Sequence, residues 1–136
     1  MELQSYSPRK VDALLTNYEG FIRDLPEVTA EWPLMEKEEQ SHHQVVFMEV
    51  WGKRRVLGQL YQTGQLAHTQ EVRLASMDQL LLEQAPLLER CFAFTLIRLL
   101  TIFRWGTPLA DSPQLVRIET AATSLNQLAQ ALPVPA

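Results

Sequence analysis

Five side chains of metal-ligating type fall within eight residues of this sequence: Glu36, Glu38, Glu39, His42 and His43. Glu39-Gln40-Ser41-His42 has the Glu-x-x-His spacing that di-iron helix bundles use, because on a helix it turns both side chains to one face. Glu39, His42 and His43 are therefore the candidate ligands, and zinc or iron is the ion they would take. A di-metal site needs the motif twice, and the sequence contains it once. A symmetric dimer would supply the second copy, with Glu71, Asp78 or Glu83 facing it. The plainer reading needs no cofactor: an acidic first turn of a helix, where the helix dipole favours negative charge.

A second group is basic and aromatic. Lys53-Arg54-Arg55 lies beside Trp51, and Arg104 stands next to Trp105. Trp and Arg are enriched among residues that dominate protein-binding surfaces, and guanidinium groups grip carboxylates and phosphates in pairs of hydrogen bonds. Trp51, Lys53, Arg54, Arg55, Arg104 and Trp105 are the candidate interaction residues. On the competing reading the basic run is a solvated face whose stems lie over apolar neighbours, and the tryptophans close the ends of a core. A formal charge of -4 opposes a grip on phosphate backbones. A nucleic-acid accessory role through Lys53, Arg54 and Arg55 therefore ranks behind protein binding.

Little else in the sequence suggests chemistry. His68 has no acid or cysteine in motif spacing and reads as a surface residue. Cys91 is the only cysteine and sits in Cys91-Phe92-Ala93-Phe94, where a thiol behaves as a small hydrophobe. The sequence holds no glycine-rich phosphate loop, no Gly-x-Ser-x-Gly elbow and no Cys-x-x-Cys pair. No catalytic residue is assigned, and an enzyme is not expected.

The elements that must position these residues are helices. Leu occurs 22 times, Gln 12 times and Gly only five, a mix of straight-chain residues that favours α structure. Ser7-Pro8 is a helix start, Ser capping a free N–H and Pro occupying the first turn. Val11, Leu14, Leu15, Tyr18, Ile22 and Leu25 then recur at helical spacing, predicting a first helix over about 8–25 that stops at Pro26.

The second helix is expected from Thr29–Pro33 to about Thr63, with Gly64 as a left-handed stop. Its best stripe is Trp32, Glu36, Glu39, His43, Phe47, Val50, Arg54, Leu57 and Tyr61. A strand over Val45–Trp51 is the rival reading, disfavoured because the helical spacing keeps its phase across Gly52. The third helix carries Leu74, Met77, Leu81, Ala85, Leu88, Phe92, Thr95, Leu99 and Ile102 and ends near Trp105, ahead of Gly106 and Pro108. Pro86 should kink it or split it, and the unbroken stripe favours a kink. A fourth helix is expected from Pro113 to about Leu132.

These elements predict an all-α fold: four helices in one domain over 1–136, built on a long antiparallel hairpin of the second and third helices. The first and fourth helices cover it, and 1–6 and 133–136 are expected to be mobile ends. Arms above 30 residues would make the hairpin about 50 Å long at 1.5 Å per residue. Shorter covering helices would leave apolar surface for a second copy or a partner. The start, Met1-Glu2-Leu3-Gln4, lacks the basic-then-apolar pattern of a secretory signal, and the apolar window from Cys91 to Phe103 is interrupted by Arg98. A cytoplasmic protein without a membrane role is expected. Its function is expected to be protein–protein interaction, as a homodimeric adaptor, assembly factor or chaperone, with a metal-binding bundle as the alternative.

Overall fold

The computed structural model describes residues 6–91 and, beyond them, 101, 103, 104, 106–109, 113, 115–117 and 120. Four α-helices are defined there: α1 (Pro8–Glu31), α2 (Lys37–Gln62), α3 (His68–Glu83) and α4 (Ala85–Cys91). A 3₁₀ turn at Trp32–Leu34 joins α1 to α2. The described residues at 101, 103, 104, 113, 115–117 and 120 are helical as well, and no strand occurs among the described residues. The fold is all-α. No described helix is long and apolar enough to cross a membrane.

α1 begins as its sequence dictates, the Ser7 hydroxyl accepting the Lys10 N–H at 3.3 Å with Pro8 in the first turn. Its stripe Val11, Leu15, Tyr18, Ile22 and Leu25 is buried. The helix does not stop at Pro26, as expected, but runs on to Glu31. A proline inside a helix forfeits one backbone bond and crowds the preceding turn. Here its ring is exposed, and the Thr29 hydroxyl donates to the Pro26 carbonyl at 3.0 Å. The chain breaks instead at Trp32-Pro33, so the second helix starts at Lys37 and not at Thr29–Pro33. Gln40 Nε2 donates to the Trp32 carbonyl at 2.9 Å and fastens the connection.

α2 is helical throughout Val45–Trp51, which removes the strand alternative. It ends where Gly64 takes a φ of 70°. The Gln65 N–H donates to the Leu60 carbonyl and the Gly64 N–H to that of Tyr61, the two bonds that close a helix on a left-handed glycine.

The third helix is split and not merely kinked. Gln84 interrupts it with ψ near zero, and Pro86 falls in the first turn of α4, where a missing N–H costs little. Gly106, with a φ of 137°, follows helical Phe103 and Arg104, and its N–H donates back to the Phe103 carbonyl. The expected end of the fourth helix near Leu132 and the tail 133–136 lie outside the described residues.

α1 is the element common to the packing, in contact with α2, α3 and α4. The short connection makes α1 and α2 antiparallel, with the Phe21 and Phe47 rings 5.4 Å apart. The expected pairing of two arms above 30 residues is therefore not what organises the described residues, since α2 has 26 and α3 has 16. One core joins Leu15, Tyr18, Ile22, Phe47, Leu57 and Leu74. Each such side chain contributes about 1.5–3 kcal/mol by leaving water.

Candidate functional site: a sealed polar cluster and an open groove

Arg54 occupies a core position of α2, and no part of its side chain reaches solvent. A buried guanidinium demands a buried acid, and α3 supplies Asp78, equally sealed. Arg54 Nε donates to Asp78 Oδ1 at 2.9 Å and Nη2 to Oδ2 at 2.7 Å, the two-pronged geometry that makes Arg–carboxylate pairs strong. Two neutral groups complete the carboxylate's shell: the Tyr18 hydroxyl from α1 donates to Oδ1 and the Thr107 hydroxyl to Oδ2, each at 2.7 Å. Nη2 also donates to the Gly106 carbonyl at 2.7 Å. The Tyr18 and Phe103 rings each lie 5.8 Å from the guanidinium carbon.

The electrostatics follow from burial. Tyr18 is pushed well above its ordinary range, first by burial and then by the adjacent Asp78 charge, so it stays a neutral donor. Burial alone would lower the proton affinity of Arg54. The Asp78 charge and the hydrogen bonds that Arg54 donates to it more than offset that, and the group is held cationic. Gly106 reaches the cluster only because it lacks a side chain: a Cβ there would overlap the Gly58 carbonyl of α2 and come within 2.7 Å of Gln62 Cγ. The cluster thus ties α1, α2, α3 and the Gly106–Thr107 turn together, and no substrate can reach it.

The candidate interaction residues consequently do not form one patch. Arg54 turns inward, Lys53 is half-buried, and Arg55 and Arg104 are exposed. Trp51 is core, 7% exposed, with its ring 4.3 Å from that of Phe47. Trp105 lies outside the described residues. The placement of Arg54 and Trp51 corrects their reading as surface groups: both belong to the buried stripe of α2.

Asp78, Tyr18 and Thr107 were not singled out as partners of Arg54 by sequence reasoning. A signal was present for one of them, Asp78. Arg54 is a charge in phase with Phe47, Val50 and Leu57, and Asp78 is a charge in phase with Leu74 and Leu81. Two opposite charges on buried stripes of different helices point to each other. Nothing in the sequence singles out Thr107.

The candidate metal ligands sit elsewhere, in the first turns of α2 beside its connection to α1. Glu39 and His42 are exposed and His43 is half-buried. The His42 and His43 rings meet edge-on at 5.8 Å, and His43 lies 6.5 Å from the Trp32 ring. Among the described residues no three His, Cys, Asp or Glu side chains gather as metal ligands would. Asp78, one of the carboxylates expected to face the motif, is taken up by Arg54. His68 is exposed.

His42 and His43 instead line one end of a groove between α1 and α2. Its volume is about 640 Å³, within the range of ligand-holding clefts, and its walls include Phe21, Leu25, Val28, Val46 and Val50. Its floor is open because α1 presents Ala13 and Gly20 there, and a Cβ added at Gly20 would touch nothing within 4 Å. On the outer side of α2, Val45 and Met48 are more than half exposed. Compared with models of protein families, with curated proteins and with solved structures, the chain matches none.

Proposed function

We propose that this protein works by binding another protein, and that the groove between α1 and α2 is its docking surface. One observation carries the reading: the groove is apolar, open and about 640 Å³, whereas the Arg54–Asp78 cluster is fully enclosed. Apolar walls left facing water mark interaction sites more often than accidents of packing. His42 and His43, at the groove's end, then act as contact residues. Trp51 and Arg54 support the surface from behind, fixing α2 against α1 and α3.

A photo-crosslinking side chain at position 17, on the groove wall, tests this in extracts of the source cells. Adducts to a defined protein are expected, self or other, identified by mass. Gly20→Leu should abolish them by filling the groove, and a crosslinker at Ser76 on exposed α3 should form none. Equal labelling from positions 17 and 76, or adducts indifferent to Gly20→Leu, would sink the proposal.

A further inference from the structure

The charges of α1 run against its own dipole. Its first turn holds no acid and its last turn no base, while Arg9 and Lys10 sit at the start and Glu27 and Glu31 at the end. Carboxylates are favoured at a helix N-terminus and cations at its C-terminus, so each of these groups stands at the wrong end of its helix. The connected end of α2 adds Glu36, Glu38 and Glu39 against Lys37 alone. The tip of the α1–α2 pair is therefore acidic. Its opposite end carries Arg9, Lys10 and Lys53, with Asp12 as a nearby acid and Glu49 between the two ends.

This polarity lies along the groove. Arg9, Ala13, Asn17, Gly20, Asp24, Glu27 and Glu31 follow one another at steps of three and four, hence on one face of α1. Ala13, Asn17, Gly20 and Asp24 line the cleft, and Arg9, Lys10, Asp24, Glu27 and Glu31 are all exposed. Gly20 stands midway between Arg9 and Glu31. Such a face is complementary to itself turned end for end, the relation that a two-fold axis imposes.

We propose that a second copy of this chain closes the groove, docked antiparallel across a two-fold axis beside Gly20, so that Arg9 and Lys10 of each copy meet Glu27 and Glu31 of the other. The bare backbone at Gly20 lets the two α1 helices approach closely at the axis. Phe21, Val28 and Val46 of both copies supply the apolar area flanking it. Each helix also receives, from its neighbour, the charge that its own dipole lacks. This pairing rests on the reading of the groove as a docking surface and names its occupant.

Sedimentation equilibrium on the full chain and two charge-reversed variants tests it. The wild type should be a dimer that weakens with added salt. Arg9→Glu with Lys10→Glu, and separately Glu27→Lys with Glu31→Lys, should each weaken self-association by about tenfold or more. An equimolar mixture of the two variants should recover the dimer as a heterodimer, and a chain bearing all four changes should dimerise again with itself. Gly20→Leu should yield a folded monomer, its helicity checked by circular dichroism. A wild-type chain that stays monomeric at about 0.1 mM overturns the pairing. So does a mixture of the reversed variants that fails to associate. In either case, position-17 adducts to a different protein would leave the docking-surface reading standing, and their absence would remove both.

Discussion

The two notable regions of this protein invert the usual expectation of polar outside and apolar inside. In the Arg54 cluster an ion pair, a phenol and a threonine hydroxyl are enclosed by the core. In the α1–α2 groove, Phe21, Val28 and Val46 are only partly covered. In the first region both oxygens of Asp78 have their donors within the chain, and of the Arg54 guanidinium only Nη1 is buried without a partner among the described residues. The charges of Arg54 and Asp78 are thus spent on joining α2 to α3. Buried ion pairs add little net stability over apolar residues of the same shape, but a single partner left alone in the core is costly.

Substitutions can break each side of this contrast separately. Asp78→Ala should have the largest effect, about 3–5 kcal/mol of lost stability in chemical denaturation, because it strands a buried guanidinium. Replacing both partners, Arg54→Met with Asp78→Leu, removes the stranded charge and should recover part of that loss, the remainder being the cost of leaving the Tyr18 and Thr107 hydroxyls and the Gly106 carbonyl without their partners. A double variant as unstable as Asp78→Ala would show that the stranded charge is not the source of the loss. Tyr18→Phe should cost about 1.5–3 kcal/mol, the value of a hydrogen bond to a charged acceptor.

Tyr18 also sets an alkaline limit. Its pKa is raised in the folded state, so its contribution is complete below about pH 10, where an unfolded tyrosine begins to lose its proton. Stability should fall as pH climbs from there towards the folded value. A denaturation series from neutral to alkaline pH checks this, and Tyr18→Phe should flatten the decline. Gly106→Ala, which forces both a strained φ and an overlap with Gly58, should cost about 1–3 kcal/mol or more by thermal melting.

The smallest effect has the opposite sign and belongs to the groove. Measured on the monomer, at a concentration too low for self-association, Gly20→Ala should stabilise the chain by about 1 kcal/mol, since alanine is the better helix former and within one chain the added methyl meets nothing. A destabilising result would mean that the groove floor is not open.

How far the sequence foretold this varies with the physics involved. Starts and stops that depend on one or two residues were legible: Ser7-Pro8, Gly64, and Gly106 ahead of Pro108. Proline was misread twice for one reason. Its effect depends on where its ring points and where the helix begins, and that is a tertiary matter. Pro26 is accommodated inside α1 with its ring facing water, at the cost of the one backbone bond that its missing N–H would have made to the Ile22 carbonyl. Pro86 instead lands in a first turn, because the chain had already broken at Gln84. The charges Arg54 and Asp78 were visible on their stripes, yet taken singly each resembled a surface or ligand residue. Only the direct bonds between α2 and α3 show them as a pair. The groove left least trace, since an open space is a property of side chains that are small or absent, Ala13 and Gly20 among them.

The Arg54 cluster also bears on the order in which this protein assembles. Its bonds join residues 24, 52 and 60 positions apart along the chain, and Thr107 adds one spanning 29. None can form until distant segments have met, so each carries the entropic cost of closing a long loop. Once made, they share a single carboxylate and a single guanidinium. The α1, α2 and α3 helices and the Gly106–Thr107 turn should therefore open as one unit, with their slowest-exchanging amides released together.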